Sequence, residues 1–260
     1  MSFVYLKLSK IENFLNVVNS LKAIQSTKIQ FLIKKQELVI LAQSAVKTSS
    51  SEAHIPNLEF DIYRTPKDTY IILDFSTLKT VLKSITKSVI NTNIVMEYPC
   101  KDKKFLILCE NESCASQFYL DTYDYEPNTI ITPSNKLLAS IVFKDMKIIK
   151  QAMEIACHGR QENEVFLRLS KEVSELNFFR EDIITDVKMR VTVPIAEKVI
   201  VSISQDCEKI YSAKVLKGIA NFPKCKEIRL KMHEDGVLEI DISVIDEVFA
   251  RHFINPYDNV

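Results

Sequence analysis

Glycine is nearly missing from this chain, with 3 residues in 260. Gly159, Gly218 and Gly236 stand far apart, whereas dinucleotide fingerprints and phosphate loops need clustered glycines to let backbone approach phosphate. Nucleotide-dependent enzymes built on such loops are excluded. No window approaches the roughly 18 consecutive apolar residues of a membrane-spanning helix. The six cysteines, at 100, 109, 114, 157, 207 and 225, include no C-x-x-C pair and have no histidine at zinc-ligand spacing. They are expected to be reduced, mostly buried small hydrophobes. Net charge is also missing, since 34 basic side chains face 34 acidic ones. A balanced total says nothing about partners until the charges are located.

What is present is ordinary globular material: 47% hydrophobic and 26% charged residues, in a length that suits one large or two medium domains. The opening MSFVYLKLSKIENFLNVV does not read as a secretory signal, so an intracellular chain is expected. The run Lys101 to Lys104 is too short and mixed to read as a nuclear signal.

One pattern recurs four times: a stretch with helical apolar spacing followed by short alternating strands. The first helix is expected over Ser9 to Ile24, capped by Ser9, with Ile11, Phe14, Leu15, Val18 and Leu21 inward. Strands KIQFLIKK, ELVILAQS and, past a Ser-rich loop at Thr48 to Ser51, HIPNLEFDIY follow. Strand TYIILDF and a helix over Ser76 to Val89 precede strands NIVMEY, KFLILCE and ASQFYLDTY. YDYEPNTIITPS then interrupts the periodicity with prolines and turn formers. Residues 1–122 and 135–260 are therefore expected to be two similar domains, joined by a connecting loop at 123–134. In the second, helices are expected over Lys144 to Cys157 and Ser212 to Phe222, with a short linker at Pro194 to Lys198 and a hairpin turn at Asp235-Gly236. The fold class is α+β, two helices on antiparallel strands in each half.

The basic charge concentrates on the helical windows. Residues 10–24, 75–88, 144–157 and 212–224 carry +1, +3, +1 and +3, or +8 in all, which leaves −8 for the rest. Lys79, Lys83 and Lys87 repeat every four residues and form one ridge, where like charges repel by a few tenths of a kcal/mol per pair. A ridge kept positive in this way suits a polyanion. Lysines without aromatic or planar base readers would hold DNA through phosphate, blind to sequence and sensitive to salt. Catalysis has less to support it. His54, His158, His233 and His252 form no H-x-x-x-H pair, and the acid pairs Glu162 with Glu164 and Glu234 with Asp235 read as solvated. A metal-dependent nuclease is the main enzymatic alternative, ranked below a binding module; no catalytic residue, metal or cofactor is expected.

The fourfold helix-plus-strands unit, the tail ARHFINPYDNV and the linker DTYDYEPNTIITP resemble the ring-shaped DNA sliding clamps, represented by proliferating cell nuclear antigen. SKIENFLNVVNSLKAI, EAHIPNLEFDIY, IVMEYPCKDKKFLILCENES and TYDYEPNTI are most similar to the Rad-one type subunit of the nine-one-one checkpoint clamp. The chain departs from replication clamps in its shorter linker, in FKDMKIIKQAM and in its neutrality.

The resemblance implies a sliding-clamp fold and a nuclear, non-enzymatic subunit of a trimeric ring around duplex DNA, most similar to the heterotrimeric checkpoint ring. A homotrimeric replication clamp is the alternative; a single-chain adapter or transcription factor is more distant. Lys10, Lys22, Lys79, Lys83, Lys87, Lys144, Lys147, Lys150, Lys214, Lys217 and Lys224 would face DNA. Edge strands at Gln117 to Thr122 and Glu175 to Arg180 would join neighbouring subunits through Phe118, Leu120, Leu176, Phe178 and Phe179. His54, Ile55, Ile130, Ile131, Phe253, Ile254 and Pro256 would line a groove for short clamp-binding motifs of repair or replication proteins. An ATP-dependent loader and two other clamp subunits, or two copies of the chain, complete the implied partners, with no membrane among them.

Overall fold

The alternating segments form strands and the 3.6-period segments form helices in the computed structural model, which describes residues 3–86, 92–111, 114–124, 129–157, 164–172, 175–182, 187–193, 199–222, 225–245 and 247–257. The first half runs β1 (Val4–Leu8), α1 (Ile11–Ser20) with a 3-10 turn at Leu21–Ile24, β2 (Lys28–Ile33), β3 (Glu37–Gln43), β4 (Ser49–Pro56), β5 (Ile62–Arg64), β6 (Thr69–Asp74), α2 (Phe75–Thr86), β7 (Asn93–Tyr98), β8 (Phe105–Glu110) and β9 (Ala115–Leu120). The second half runs β10 (Leu137–Phe143), α3 (Met146–Ala156), β11 (Glu164–Ser170), β12 (Glu175–Asp182), β13 (Val187–Val193), β14 (Val199–Ile203), β15 (Cys207–Ser212), α4 (Ala213–Ala220), β16 (Glu227–His233), β17 (Leu238–Ile245) and β18 (Val248–Ile254).

Among the described residues the strands make three sheets, ordered β5-β1-β7-β8-β9, β14-β10-β16-β17-β18-β4-β3-β2-β6 and β13-β12-β11-β15. The order contains an internal repeat. The set β5-β1-β7-β8-β9 is connected like β14-β10-β16-β17-β18, and β6-β2-β3-β4 like β15-β11-β12-β13. Inside the chain, the end strand β18 of one set pairs with the end strand β4 of the other, Arg251 opposite Glu52 and His252 opposite Ser51. The counterpart strands β9 and β13 lie at sheet edges.

The helices pack their apolar stripes on these sheets, as amphipathic periodicity requires. Phe75, Leu78, Val81, Leu82 and Ile85 of α2 are buried, each contributing about 1.5–3 kcal/mol of transfer free energy. One core gathers residues from β1 to β9, with Val248 and Ala250 of β18. The other gathers residues from β10 to β18, with Ala23 and Ile24 of the 3-10 turn. Each half therefore lends side chains to the other's core.

Several expectations change. Ser9 does not cap the first helix; its hydroxyl donates to Asp61 Oδ1 at 2.8 Å, and regular helix gives way to the 3-10 turn after Ser20. The other three helices have side-chain caps: Asp74 accepts from the Thr77 N–H at 2.7 Å, Asp145 from that of Lys147 at 3.0 Å and Ser212 from that of Val215 at 3.4 Å. Bonds from Ser76 and from the Thr77 N–H draw the Asp74 carboxyl down to about 2. The Ser-rich segment expected as a loop is largely strand, because Ser49, Ser50 and Ser51 pair with Ile254, Phe253 and His252. Strands β1 and β15 add to the expected set, CEKIYS lacking clean alternation, and the expected strand HIPNLEFDIY is split by a 3-10 turn at Asn57–Glu59 into the end of β4 and β5. Of the six cysteines only Cys109 and Cys157 are buried, and Cys114 is exposed. The linker expected at Pro194 to Lys198 lies outside the described residues.

Candidate nucleic-acid interface

Burying the apolar stripe of each helix leaves its polar stripe, and the lysines there, on the opposite side. Lys83, Lys147, Lys214 and Lys217 are exposed, Lys79 and Lys150 half-buried. Lys10, Lys22 and Lys144 are exposed and lie beside helix ends rather than on α1 or α3 proper. Lys87 and Lys224 lie outside the described residues. The basic surface is uneven, because α1 itself exposes Glu12 and α3 exposes Glu154 and Ile155.

Lys22 comes close to α2. Burial of its stem and then the charges of Lys79 and Lys83 hold its ammonium below the ordinary lysine pKa. Three cations thus converge from two elements. The 3-10 turn that carries Lys22 also packs on α4, where Gly218 permits close approach: a Cβ added to it would lie 2.8 Å from Ala23 Cα. This packing sets the turn that carries Lys22 against the helix that carries Lys214 and Lys217.

Cations on the outer side of the nine-stranded sheet are arranged differently. Lys231 Nζ lies 2.7 Å from both Glu239 and Asp241. Arg251 reaches Glu52 and Asp241 at 2.9 Å and Glu239 at 3.1 Å, while Lys34 reaches Glu37 at 2.9 Å. His54 Nδ1 stands 2.8 Å from Glu37, and its ring stacks on Phe249 at 4.6 Å. These carboxylates neutralise their cations across the joint between β4 and β18. Lys22, Lys79, Lys147, Lys150, Lys214 and Lys217 have no such carboxylate partner among the described residues. These six lysines therefore contrast with the carboxylate-bound cations of the nine-stranded sheet.

The expected edge at Glu175 to Arg180 is corrected by the sheet order. It falls on β12, which is hydrogen-bonded to β11 on one side and β13 on the other, so the free edge is β13. Leu176 and Phe178 are buried in the second core, and Phe179 lies beneath the Arg190 guanidinium at 5.0 Å. A buried hydrophobic pattern could not distinguish an interior strand from an edge. The other expected edge, β9, does end its sheet; Leu120 is buried in the first core and Phe118 packs against it.

The expected groove residues separate. The described residues of the expected connecting loop are bonded to the nine-stranded sheet and its turns: the Tyr123 N–H donates to Ile72 O at 3.0 Å, Gln43 Nε2 to Thr129 at 3.0 Å, the Ile131 N–H to Ser50 Oγ at 2.9 Å and the Ser134 N–H to Asp235 at 2.7 Å. Ile131 and Phe253 both lie beside Ser50, and Ile130 and Pro256 are half-buried. Ile55 and Ile254 belong to the cores. His54 sits farther along β4, opposite Phe249, as part of the ionic network. Among the described residues no three His, Cys, Asp or Glu side chains gather as a metal site.

Two solved structures match this arrangement over nearly its whole length. Proliferating cell nuclear antigen from Thermococcus kodakaraensis superposes with a TM-score of 0.81 at 15% identity, covering 98% of this chain and 100% of that one. That from Entamoeba histolytica gives a TM-score of 0.80 at 16% identity, covering 98% and 99%. The chain has the sliding-clamp fold. No protein-family model and no curated protein sequence matches it.

Proposed function

We propose that this chain is a non-enzymatic subunit of a ring that encloses duplex DNA and slides along it. The observation that carries the proposal is the contrast in pairing: among the described residues, Lys22, Lys79, Lys147, Lys150, Lys214 and Lys217 of the helices and the 3-10 turn have no carboxylate partner, while Lys231 and Arg251 of the nine-stranded sheet are each held by two or more carboxylates. Unpaired ammonium groups are what a phosphate backbone recruits, with release of its counterions. Lys22, Lys79, Lys147, Lys150, Lys214 and Lys217 would line the hole, and the clamp resemblance adds Lys10, Lys83, Lys87, Lys144 and Lys224 to that lining.

The internal repeat supports ring formation. The chain already contains one joint of the required kind, β18 on β4, and leaves the counterparts of both strands at its edges. A heterologous joint repeated from chain to chain closes into a ring when its rotation permits; three two-domain chains is the ring implied by the clamp resemblance. We read that ring as the heterotrimeric checkpoint type, in the nucleus. The neutral charge and the stretches resembling the Rad-one type subunit favour this reading over a homotrimeric replication clamp. The ring would be placed by an ATP-driven loader and would serve repair and signalling proteins, whose short motifs would enter beside Ile130, Ile131, Phe253 and Pro256.

Native mass spectrometry and retention on closed circular DNA test the proposal together. A 1:1:1 ring with two other clamp-fold chains, retained on closed DNA and lost when the DNA is cut, is the expected result. A stable homotrimer overturns the checkpoint reading, and equal loss from closed and cut DNA overturns the clamp reading.

A further inference from the structure

The intrachain joint of β18 on β4 implies a register for joining their counterparts, the edge strands β9 and β13. Asp74 and Ser212 cap α2 and α4, so they mark equivalent positions in the repeat. Counting across the ladders from them, Ile33 matches Leu169, Leu38 matches Leu176 and Ile55 matches Val193. Glu52 of β4 therefore matches Arg190 of β13. On the other side, Leu8 and Phe143 each precede a helix by the same spacing. The ladders that start from them lead to Ser116 and Ala250, so Gln117 of β9 matches Arg251. Where the chain's own joint sets Arg251 against Glu52 at 2.9 Å, the same joint between subunits sets the residue at position 117 against Arg190.

Neither free edge offers the other the opposite charge. Strand β9, ASQFYL, has no ionisable acid or cation apart from the Tyr119 phenol, and the Tyr119 hydroxyl already donates to Gln117 Oε1 at 3.1 Å. Arg190 is held ready at its edge: Nε donates to Asn177 Oδ1 at 3.1 Å, the guanidinium lies over Phe179 at 5.0 Å, and Glu175 stands at 3.8 Å. Its side chain is nevertheless 57% exposed. A guanidinium fixed in this way is suited to a carboxylate on the incoming strand.

We propose that β13 receives the edge strand of a different clamp-fold chain, one that carries Asp or Glu where this chain has Gln117, in the register of β18 on β4. The inference rests on the ring reading and names the chemistry of the neighbour. The inward-facing residues of the same register are apolar, Met189 and Val191, so the carboxylate facing Arg190 discriminates between a foreign strand and a second copy. A second copy would present only the neutral Gln117 amide, already engaged by Tyr119.

The test installs the missing carboxylate in the chain itself and needs no DNA. Self-association is measured by sedimentation at low salt for the wild type, Gln117→Glu, Gln117→Glu with Arg190→Glu, and Gln117→Lys with Arg190→Glu. Gln117→Glu is expected to tighten self-association about tenfold, as a close interfacial charge pair does. Adding Arg190→Glu is expected to abolish the gain, and the swapped pair to recover it. A wild type that associates as tightly as Gln117→Glu, an unchanged Gln117→Glu variant, or a gain that survives Arg190→Glu overturns the proposal. Retention on circular DNA is scored separately. A charge-dependent assembly that does not retain DNA would sink the clamp reading alone, and a DNA-retaining ring indifferent to both residues would sink this pairing alone.

Discussion

Gly218 of α4 faces Ala23 so closely that a Cβ at position 218 would lie 2.8 Å from the Ala23 Cα and 3.1 Å from its Cβ. Backbone cannot yield as a flexible side-chain end does. Alanine gains about 1 kcal/mol of helix propensity over glycine, but overpacking at this point costs about 1–3 kcal/mol. Gly218→Ala is expected to be destabilising by up to about 2 kcal/mol, and Gly218→Val by more, in urea unfolding. An unchanged midpoint for the valine variant would show that the helices separate without cost.

The joint between β4 and β18 is held by Arg251, which faces Glu52, Asp241 and Glu239. Arg251→Ala leaves Glu52 without its guanidinium and Glu239 and Asp241 with Lys231 alone, and in this half-buried cluster is expected to cost about 1.5–3 kcal/mol, the worth of a hydrogen bond to a charged group. Adding Glu52→Gln should cost less than the sum of the single changes, because one repelling charge is removed. Additive costs would mean that the pair does not couple. Two unfolding transitions are also expected once the joint is weakened, since most of each core comes from one half.

Two histidines at the same joint should give stability opposite pH dependences. Burial works against charging His54, but Glu52 and Glu37 outweigh it and raise its pKa above the ordinary 6.5. Its contribution is complete below pH 6.5 and fades as pH rises through the folded value. His252 is buried, with Nδ1 2.5 Å from Ser51 Oγ and no partner for Nε2 among the described residues, and burial lowers it to about 4. Its contribution is present above pH 6.5 and fades as pH falls toward 4. Stability is expected to peak near pH 6.5. His54→Gln should flatten the alkaline limb by about 1–2 kcal/mol, the worth of a charged hydrogen bond, and His252→Gln should change only the acid limb. Both limbs unchanged in chemical denaturation from pH 4 to 9 would remove both assignments.

Replacing Lys22, Lys79 and Lys83 together by alanine should weaken binding to duplex DNA and reduce its dependence on salt. Each phosphate left without its ammonium partner lowers the slope of log K against log salt by about 0.9, so a fall of about 2 to 3 is expected. Lys34→Ala, at a cation already paired with Glu37, should leave the slope unchanged. Equal slopes for the triple variant and the wild type would place DNA elsewhere on the molecule.

Local pattern carries much of this protein. The apolar stripes of α1 to α4 and most of the alternating strands are legible in the sequence because side-chain periodicity follows directly from backbone geometry. So is the lysine spacing on α2, and the near absence of glycine excludes phosphate loops without any structure. What tertiary structure alone decides is which strands lie side by side. β12 and β13 have similar apolar patterns, yet β12 is interior and β13 is the edge, because pairing depends on chain topology rather than on local alternation. Ser49 to Ser51 read as loop in isolation and form strand only because β18 supplies their hydrogen-bond partners. His54 leaves the expected groove for the same reason: the register of β3, β4 and β18 sets it between Glu37 and Glu52. Pairs of residues some two hundred positions apart, such as Arg251 with Glu52, leave no periodic trace in a sequence, because strand pairing and not local spacing brings their charges together.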